Sequence, residues 1–142
     1  MPREHILRNA LWIAALFNIV GAYPFAFPAS MPGHLAGLPP DAPVPYRAMT
    51  ALFILLFAGA YAWLASQPTI NRPFVAFGAI GKAAAFATVV ALWLAGAVPA
   101  TSVLAIIGDL LLALVFAAWR LGYMPREVNE WLEGHGVTRD WP

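Results

Sequence analysis

The fold of this chain is decided by residues 74–98, FVAFGAIGKAAAFATVVALWLAGAV. A run of about 20 apolar residues crosses the hydrocarbon core of a bilayer as a helix. This run is longer than that and holds one ionisable side chain, Lys82. A charge at that depth costs about 2.5–3.5 kcal/mol on insertion scales, so it normally has a partner or a function. The stretch therefore predicts a transmembrane helix with a polar group near its centre.

The same apolar pattern recurs in three other parts of the chain, residues 10–27, 46–65 and 101–121. The whole sequence of 142 residues is 61% hydrophobic and 11% charged, with a mean hydropathy of +0.71. Soluble domains carry about 25% charged residues. We therefore predict an all-α fold in a single domain, a polytopic membrane protein whose four transmembrane helices form a bundle.

The segments between the runs differ in composition. Residues 28–46 contain six prolines, so we expect neither a helix nor a central strand there, but an extended, turn-rich flap along the membrane surface. A short polar turn separates the second run from the third, and Pro99 ends the third run. The tail, residues 122–142, has Pro125 at a helical first position, followed by apolar residues on one face. This pattern predicts a short C-terminal amphipathic helix at the membrane interface, or alternatively a helix that docks in the cytosol.

The first run has an alternative interpretation as a secretory signal peptide. A basic start and residues 26–29, AFPA, resemble the signals for cleavage. Pro28 in this segment is unfavourable for cleavage, so we expect a retained first helix.

The basic residues predict the orientation. If four runs cross the membrane, Arg47 is the only arginine on one side of it. The other arginines all lie on the opposite side: Arg3, Arg8, Arg72, Arg120, Arg126 and Arg139. The positive-inside rule then places both termini in the cytoplasm. Trp63 and Trp119 lie where interfacial anchors are expected. The basic residues are seven arginines and one lysine, and alanine is abundant. This bias is typical of a GC-rich bacterial genome, so we expect a multi-pass protein of the bacterial inner membrane.

Three polar residues are predicted to lie at one depth. Asn18 is ten residues from Arg8, and Lys82 is ten from Arg72, which is about 15 Å in each case. Asp109 is eleven residues from the arginine after its run, or about 16–17 Å. Lys82 and Asp109 lie on consecutive antiparallel helices, so an ion pair between them is expected.

Small residues near these positions predict close packing of the helices. Each polar residue has its own set: Gly78, Gly81 and Ala85 near Lys82; Ala105, Gly108 and Ala113 near Asp109; Ala14, Ala15, Gly21 and Ala22 near Asn18.

Three interpretations of this polar centre stay open. The pair and the amide could only hold the first, third and fourth spans in register. They could instead form a site for a proton or a small ligand, as intramembrane charges often do. They could also dock a membrane helix of a partner.

Tyr46 and Arg47 open the second run on the outer side. The ordinary interpretation of Arg47 is an interfacial side chain that extends to the headgroups. The functional alternative is an outer lip that binds a lipid headgroup or another anionic ligand beneath the flap.

Several functions have no support in the sequence. The chain has no cysteine, which excludes disulfides, Fe–S clusters and thiolate catalysis. Its three histidines, His5, His34 and His135, lie outside the runs and are too scattered to predict a metal site or bis-histidine haem. Asp109 is the only carboxylate within a run, and no nucleotide-binding motif or basic nucleic-acid patch is present. We therefore identify no catalytic residues, predict no cofactor, and favour a non-catalytic protein over an enzyme.

Two segments of the chain resemble known membrane proteins. They are NRPFVAFGAIGK at residues 71–82 and GDLLLALVFAAW at residues 108–119. With Tyr46-Arg47, they resemble small bacterial four-helix membrane proteins of the DoxX-like kind. The resemblance implies a four-helix topology and singles out Lys82 and Asp109. Some DoxX-type proteins are associated with respiratory or thiol-redox membrane complexes, and the absence of cysteine argues against a thiol-redox role here.

Three functions follow as hypotheses. The first is a small accessory or interaction protein whose partners are the bilayer and other membrane subunits or a second copy of itself. The second is a binding or transport module that uses Lys82 and Asp109 for a proton or small ligand. The third is a redox accessory subunit that handles a quinone-like molecule.

Overall fold

The computed structural model describes the backbone of residues 2–122 and the side chains of residues 4–122. It contains five helices within that range: α1 Pro2–Ala26, α2 Met31–Leu35, α3 Val44–Ser66, α4 Arg72–Leu94 and α5 Ala100–Leu121. The predicted amphipathic helix of the tail lies outside the described residues.

Four of these helices, α1, α3, α4 and α5, are long and apolar enough to cross a membrane. A helix of 23 residues, the length of α3 and of α4, is about 35 Å long, which exceeds the roughly 30 Å of a hydrocarbon core. The predicted all-α, four-helix architecture is therefore confirmed.

The proline-rich connection differs from its prediction, because it contains the short helix α2. Ser30 caps this helix and accepts a hydrogen bond from the backbone N–H of Gly33. Pro32 lies in the first turn, where a helix does not need its missing N–H. The expectation of a connection without helix was therefore wrong.

The end of α4 also differs, since the helix stops at Leu94 and not at residue 98. Gly96 has a φ of +72°, and its N–H donates to the Trp93 carbonyl at 2.9 Å. The N–H of Ala97 donates to the Leu92 carbonyl, also at 2.9 Å. These two bonds form a Schellman motif, which requires a left-handed residue and therefore ends the helix at the glycine.

The long helices pack as two antiparallel pairs, α1 with α3 and α4 with α5. Contacts fix the direction of the second pair: Arg72 lies over the Trp119 ring, and Lys82, ten residues further along α4, pairs with Asp109, ten residues back along α5. The two pairs meet mainly between α1 and α5. We call the end of the bundle with α2 and Pro99 the α2 end, and the opposite end the Arg8 end.

The apolar core is concentrated towards the Arg8 end. Its buried residues come from the halves of the four long helices nearest that end: Leu7, Ala10, Leu11, Ala14, Ala15, Tyr61, Leu64, Ala65, Val75, Ala79, Leu112 and Phe116. Beyond the core, none of residues 83–94 of α4 is buried, nor is any of residues 95–97 after it. The α2 end is instead held by α2, which packs on α1 and α5, and by the Ser102 hydroxyl, which donates to the Ala36 carbonyl at 2.8 Å.

Candidate functional site: the intramembrane polar centre

Lys82 lies at the centre of the bundle, with only 4% of its surface exposed. Its ammonium donates to Asn18 Oδ1 at 3.1 Å and forms an ion pair with the Asp109 carboxylate. The three residues that were predicted to share one depth are therefore in direct contact. The fixed rise of the helix explains this, because equal distances from the helix ends place residues at equal depth.

The polar contacts connect all four long helices. The Asn18 amide, on α1, also donates to the Ile54 carbonyl of α3 at 3.4 Å. A single chain of contacts thus runs from Asp109 on α5 through Lys82 on α4 and Asn18 on α1 to α3. The sequence predicted contact among three of these helices, and the structure adds α3.

Two aromatic rings enclose the Lys82 ammonium. Nζ lies 5.5 Å from the ring centroid of Phe17 and 5.3 Å from that of Tyr61. A cation within about 6 Å of an aromatic face is attracted by the ring quadrupole, most strongly where water is excluded. The rings therefore stabilise the cation and separate it from lipid at the same time.

Tyr61 also fills the centre of the bundle between three helices. Its ring centroid lies 5.8 Å from that of Phe116 on α5, and the residue is only 3% exposed. The sequence did not single out Tyr61 or assign Phe17 to the centre. A signal was present, because Ala51, Ala58 and Ala65 recur every seven residues on α3 and Tyr61 falls on the same helix face.

The glycines near the centre have different environments. A Cβ on Gly108 would lie 2.6 Å from the Phe17 ring, and a Cβ on Gly78 would lie 3.0 Å from the Tyr61 ring. Both glycines therefore make room for the rings that enclose Lys82. Gly81 and Ala105 are exposed, and no atom lies within 4 Å of a Cβ placed on Gly81. The prediction that these two residues contribute to the helix interface was wrong.

Asp109 is more accessible than its partner in the ion pair, with 14% of its side chain exposed against 5% for Lys82. One of its oxygens pairs with Lys82. Within the ion pair, the carboxylate is therefore the group more open to a proton or a small ligand from the surroundings.

The predicted outer lip, Tyr46 and Arg47, lies in the first turn of α3. Tyr46 is 74% exposed, and Arg47 is half-buried. Both border a cavity of about 110 Å³ at the α2 end, between the end of α1, the proline-rich connection and α3. The lip is thus separate from the polar centre, which lies deeper in the bundle.

Arg8 has a role that the sequence did not reveal. Its guanidinium donates to the carbonyls of Ala65 and Gln67, each at 2.6 Å, and to the Pro68 carbonyl at 2.9 Å. These carbonyls belong to the end of α3 and the following turn, where backbone acceptors lack helical partners. A cation there also interacts favourably with the helix dipole. Arg8 therefore fastens α1 to the end of α3.

The described part of the chain holds no group of three or more side chains that could bind a metal ion. Comparison of the chain with models of protein families, with curated proteins and with solved structures gives no match. The DoxX-like resemblance stays a prediction.

Proposed function

We propose that the chain is a small, non-catalytic membrane accessory protein that interacts with other membrane helices. The observation that carries the proposal is the surface of α4. Residues 83–97 contribute no buried residue to the bundle, although α4 runs on to Leu94. This half of α4 consists of half-buried and exposed residues, so it offers much of its surface to lipid or to another helix.

The composition of this surface favours a helix as its neighbour. Its exposed residues include several with small side chains, Ala83, Ala84, Ala87, Thr88 and Ala91. In membranes, small side chains let helix backbones approach closely, and association then depends on packing and not on a hydrophobic driving force.

The closed polar centre supports the same function. Lys82 has a carboxylate, an amide oxygen and two aromatic faces as partners within the chain. Such a satisfied centre orients the helices and does not require a ligand. We propose that it is the structural core of the accessory protein.

For localisation, we propose the bacterial inner membrane with the Arg8 end in the cytoplasm. The support is the distribution of arginines: Arg8, Arg72 and Arg120 lie at the Arg8 end, and Arg47 lies at the other.

The test of the interaction compares two matched substitutions. Ala91→Leu enlarges an exposed residue near the end of α4, and Ala48→Leu does the same at a similar depth on α3. Native mass spectrometry after mild detergent extraction reports a partner subunit or a second copy. We expect Ala91→Leu to reduce this association and Ala48→Leu to preserve it. A wild-type protein that is always monomeric and without partner would contradict the proposal.

A second function, a site for a proton or a small polar ligand, is favoured by the exposed edge of Asp109. Asp109→Asn keeps the shape of the side chain and removes its charge. If Asp109 binds or transfers a proton, this change abolishes proton flux in liposomes while the fold survives. If flux is absent in the wild type, or unchanged in the variant, this second function fails.

A further inference from the structure

We propose that the α2 end carries a phospholipid site, in which Arg47 binds the lipid phosphate and the cavity beside it holds the first part of an acyl chain. The inference does not depend on the accessory function, because it concerns the start of α3 and the proline-rich connection and not the surface of α4. It rests on the charge of Arg47, the shape of the cavity and the position of both at the membrane surface.

The cavity is apolar and small. Phe25 and Pro28 border it on the α1 side, and Leu38 and Pro39 border it from the connection. Its volume of about 110 Å³ is well below the roughly 300–1,000 Å³ of sites that enclose a whole small molecule. It therefore fits a few methylene groups of a longer chain and not a complete ligand.

Arg47 supplies the charge. No carboxylate among residues 4–122 lies within ion-pair distance of its guanidinium, and the first turn of α3 contains no acidic residue. A guanidinium presents several donors in a planar fork that matches a phosphate. Charge complementarity therefore selects an anionic group at this position.

The position of Arg47 and the adjoining cavity indicates that the molecule bound there is a lipid. Arg47 lies at the start of a helix that spans the bilayer, where a long basic side chain reaches the headgroups. The apolar cavity adjoins the same turn of α3, so one molecule can meet both features only if it joins a phosphate to a hydrocarbon chain. A phospholipid has this structure, and a free phosphate ion does not.

The experiment measures lipid retention by the purified full chain. Native mass spectrometry is carried out with phosphatidylglycerol or phosphatidylcholine of the same acyl chains. We expect retained phosphatidylglycerol on the wild type and about fivefold weaker binding in Arg47→Gln, the equivalent of the ~1 kcal/mol that one arginine contributes near an anionic lipid surface. Arg120→Gln is the matched control, because it removes an exposed arginine at the other end of the bundle.

Two further arms separate the alternatives. Ala42→Leu fills the cavity and should weaken retention of both lipids, since it blocks the chain and leaves Arg47 in place. Inorganic phosphate should not displace the lipid if the acyl chain contributes to binding. The proposal is overturned if Arg47→Gln retains lipid like the wild type, if Arg120→Gln weakens binding equally, or if Ala42→Leu has no effect. Circular dichroism of each variant shows whether its helices persist, and Arg47→Met, which also removes the charge, replaces Arg47→Gln if that variant does not fold.

Discussion

The Lys82 ammonium lies 3.1 Å from Asn18 Oδ1, although the helices that carry them, α4 and α1, share little direct contact. The length of the lysine side chain makes this contact possible. Its ammonium can reach the α1 amide and the α5 carboxylate at once, so one residue connects helices from both antiparallel pairs.

Removing one partner of the ion pair should cost more than removing both. Lys82→Met leaves the Asp109 carboxylate without its cation, and we expect a loss of up to about 2.5–3.5 kcal/mol in the free energy of unfolding. The double variant Lys82→Met/Asp109→Leu should lie within about 1 kcal/mol of the wild type, because interhelical polar contacts in membranes add only about 0.6 kcal/mol on average. Unfolding in mixed detergent micelles measures both values. A double variant as unstable as the single one would show that the pair itself supplies the stability.

The two glycines Gly108 and Gly81 should respond differently to alanine. Gly108→Ala places a methyl group 2.6 Å from the Phe17 ring, so we expect destabilisation by about 1–3 kcal/mol from overpacking. Gly81→Ala meets no atom within 4 Å and should leave stability unchanged or raise it. Thermal unfolding in detergent compares the two variants. Adding Phe17→Leu to Gly108→Ala should restore part of the loss, and equal effects of the two glycine variants would argue against the packing described at Phe17.

Arg8→Lys should loosen the end of α3 without changing the charge that sets the topology. A lysine cannot reproduce the planar arrangement of donors that serves three carbonyls at once. Hydrogen bonds to charged groups contribute up to about 1.5–3 kcal/mol each. Because a lysine keeps the charge and can still donate to some of these carbonyls, we expect the free energy of unfolding to fall by about 1–2 kcal/mol in total. Amide hydrogen exchange should rise at residues 65–67 and stay constant at residues 95–98 at the opposite end. Unchanged exchange at residues 65–67 would contradict the role of Arg8.

The proposed orientation can be tested directly, because the natural sequence has no cysteine. Asp41→Cys places an exposed thiol in the connection at the α2 end, and Thr69→Cys places one in the turn at the Arg8 end. A membrane-impermeant maleimide added to intact spheroplasts should label position 41 at once and position 69 only after lysis. The reverse pattern would show that the orientation is opposite to the one proposed. Labelling of both positions before lysis would contradict the four-span topology.

The sequence predicted depth well, for a simple physical reason. Helical rise is constant, so counting residues from the arginines placed Asn18, Lys82 and Asp109 at one level, and the structure joins them. Counting does not show which way a side chain points around an apolar helix. This is why the enclosing rings of Phe17 and Tyr61, and the outward direction of Gly81, came only from the structure.

The sequence did not predict helix α2 or the contacts of Arg8, and the reasons differ. Ser30 followed by Pro32 is a recognisable helix start, but the six prolines of the connection argued against any helix there. In the sequence, Arg8 is recognisable only as a charge that sets orientation. Its three carbonyl partners lie about 60 residues away in sequence, and no local pattern predicts such a contact.

The two sides of the bundle are joined by different kinds of contact. Between α1 and α5 the helices pack directly, and the Ser102–Ala36 hydrogen bond links the start of α5 to the segment after α2. Between α3 and α4 ring contacts predominate, such as the stacked pair Phe57 and Phe77 at 6.1 Å. The helices α3 and α4 share little direct contact, so we expect them to separate at lower cost than α1 and α5. A lateral opening of the protein would therefore swing about the α1–α5 side as its hinge and part the α3–α4 side towards the surrounding lipid.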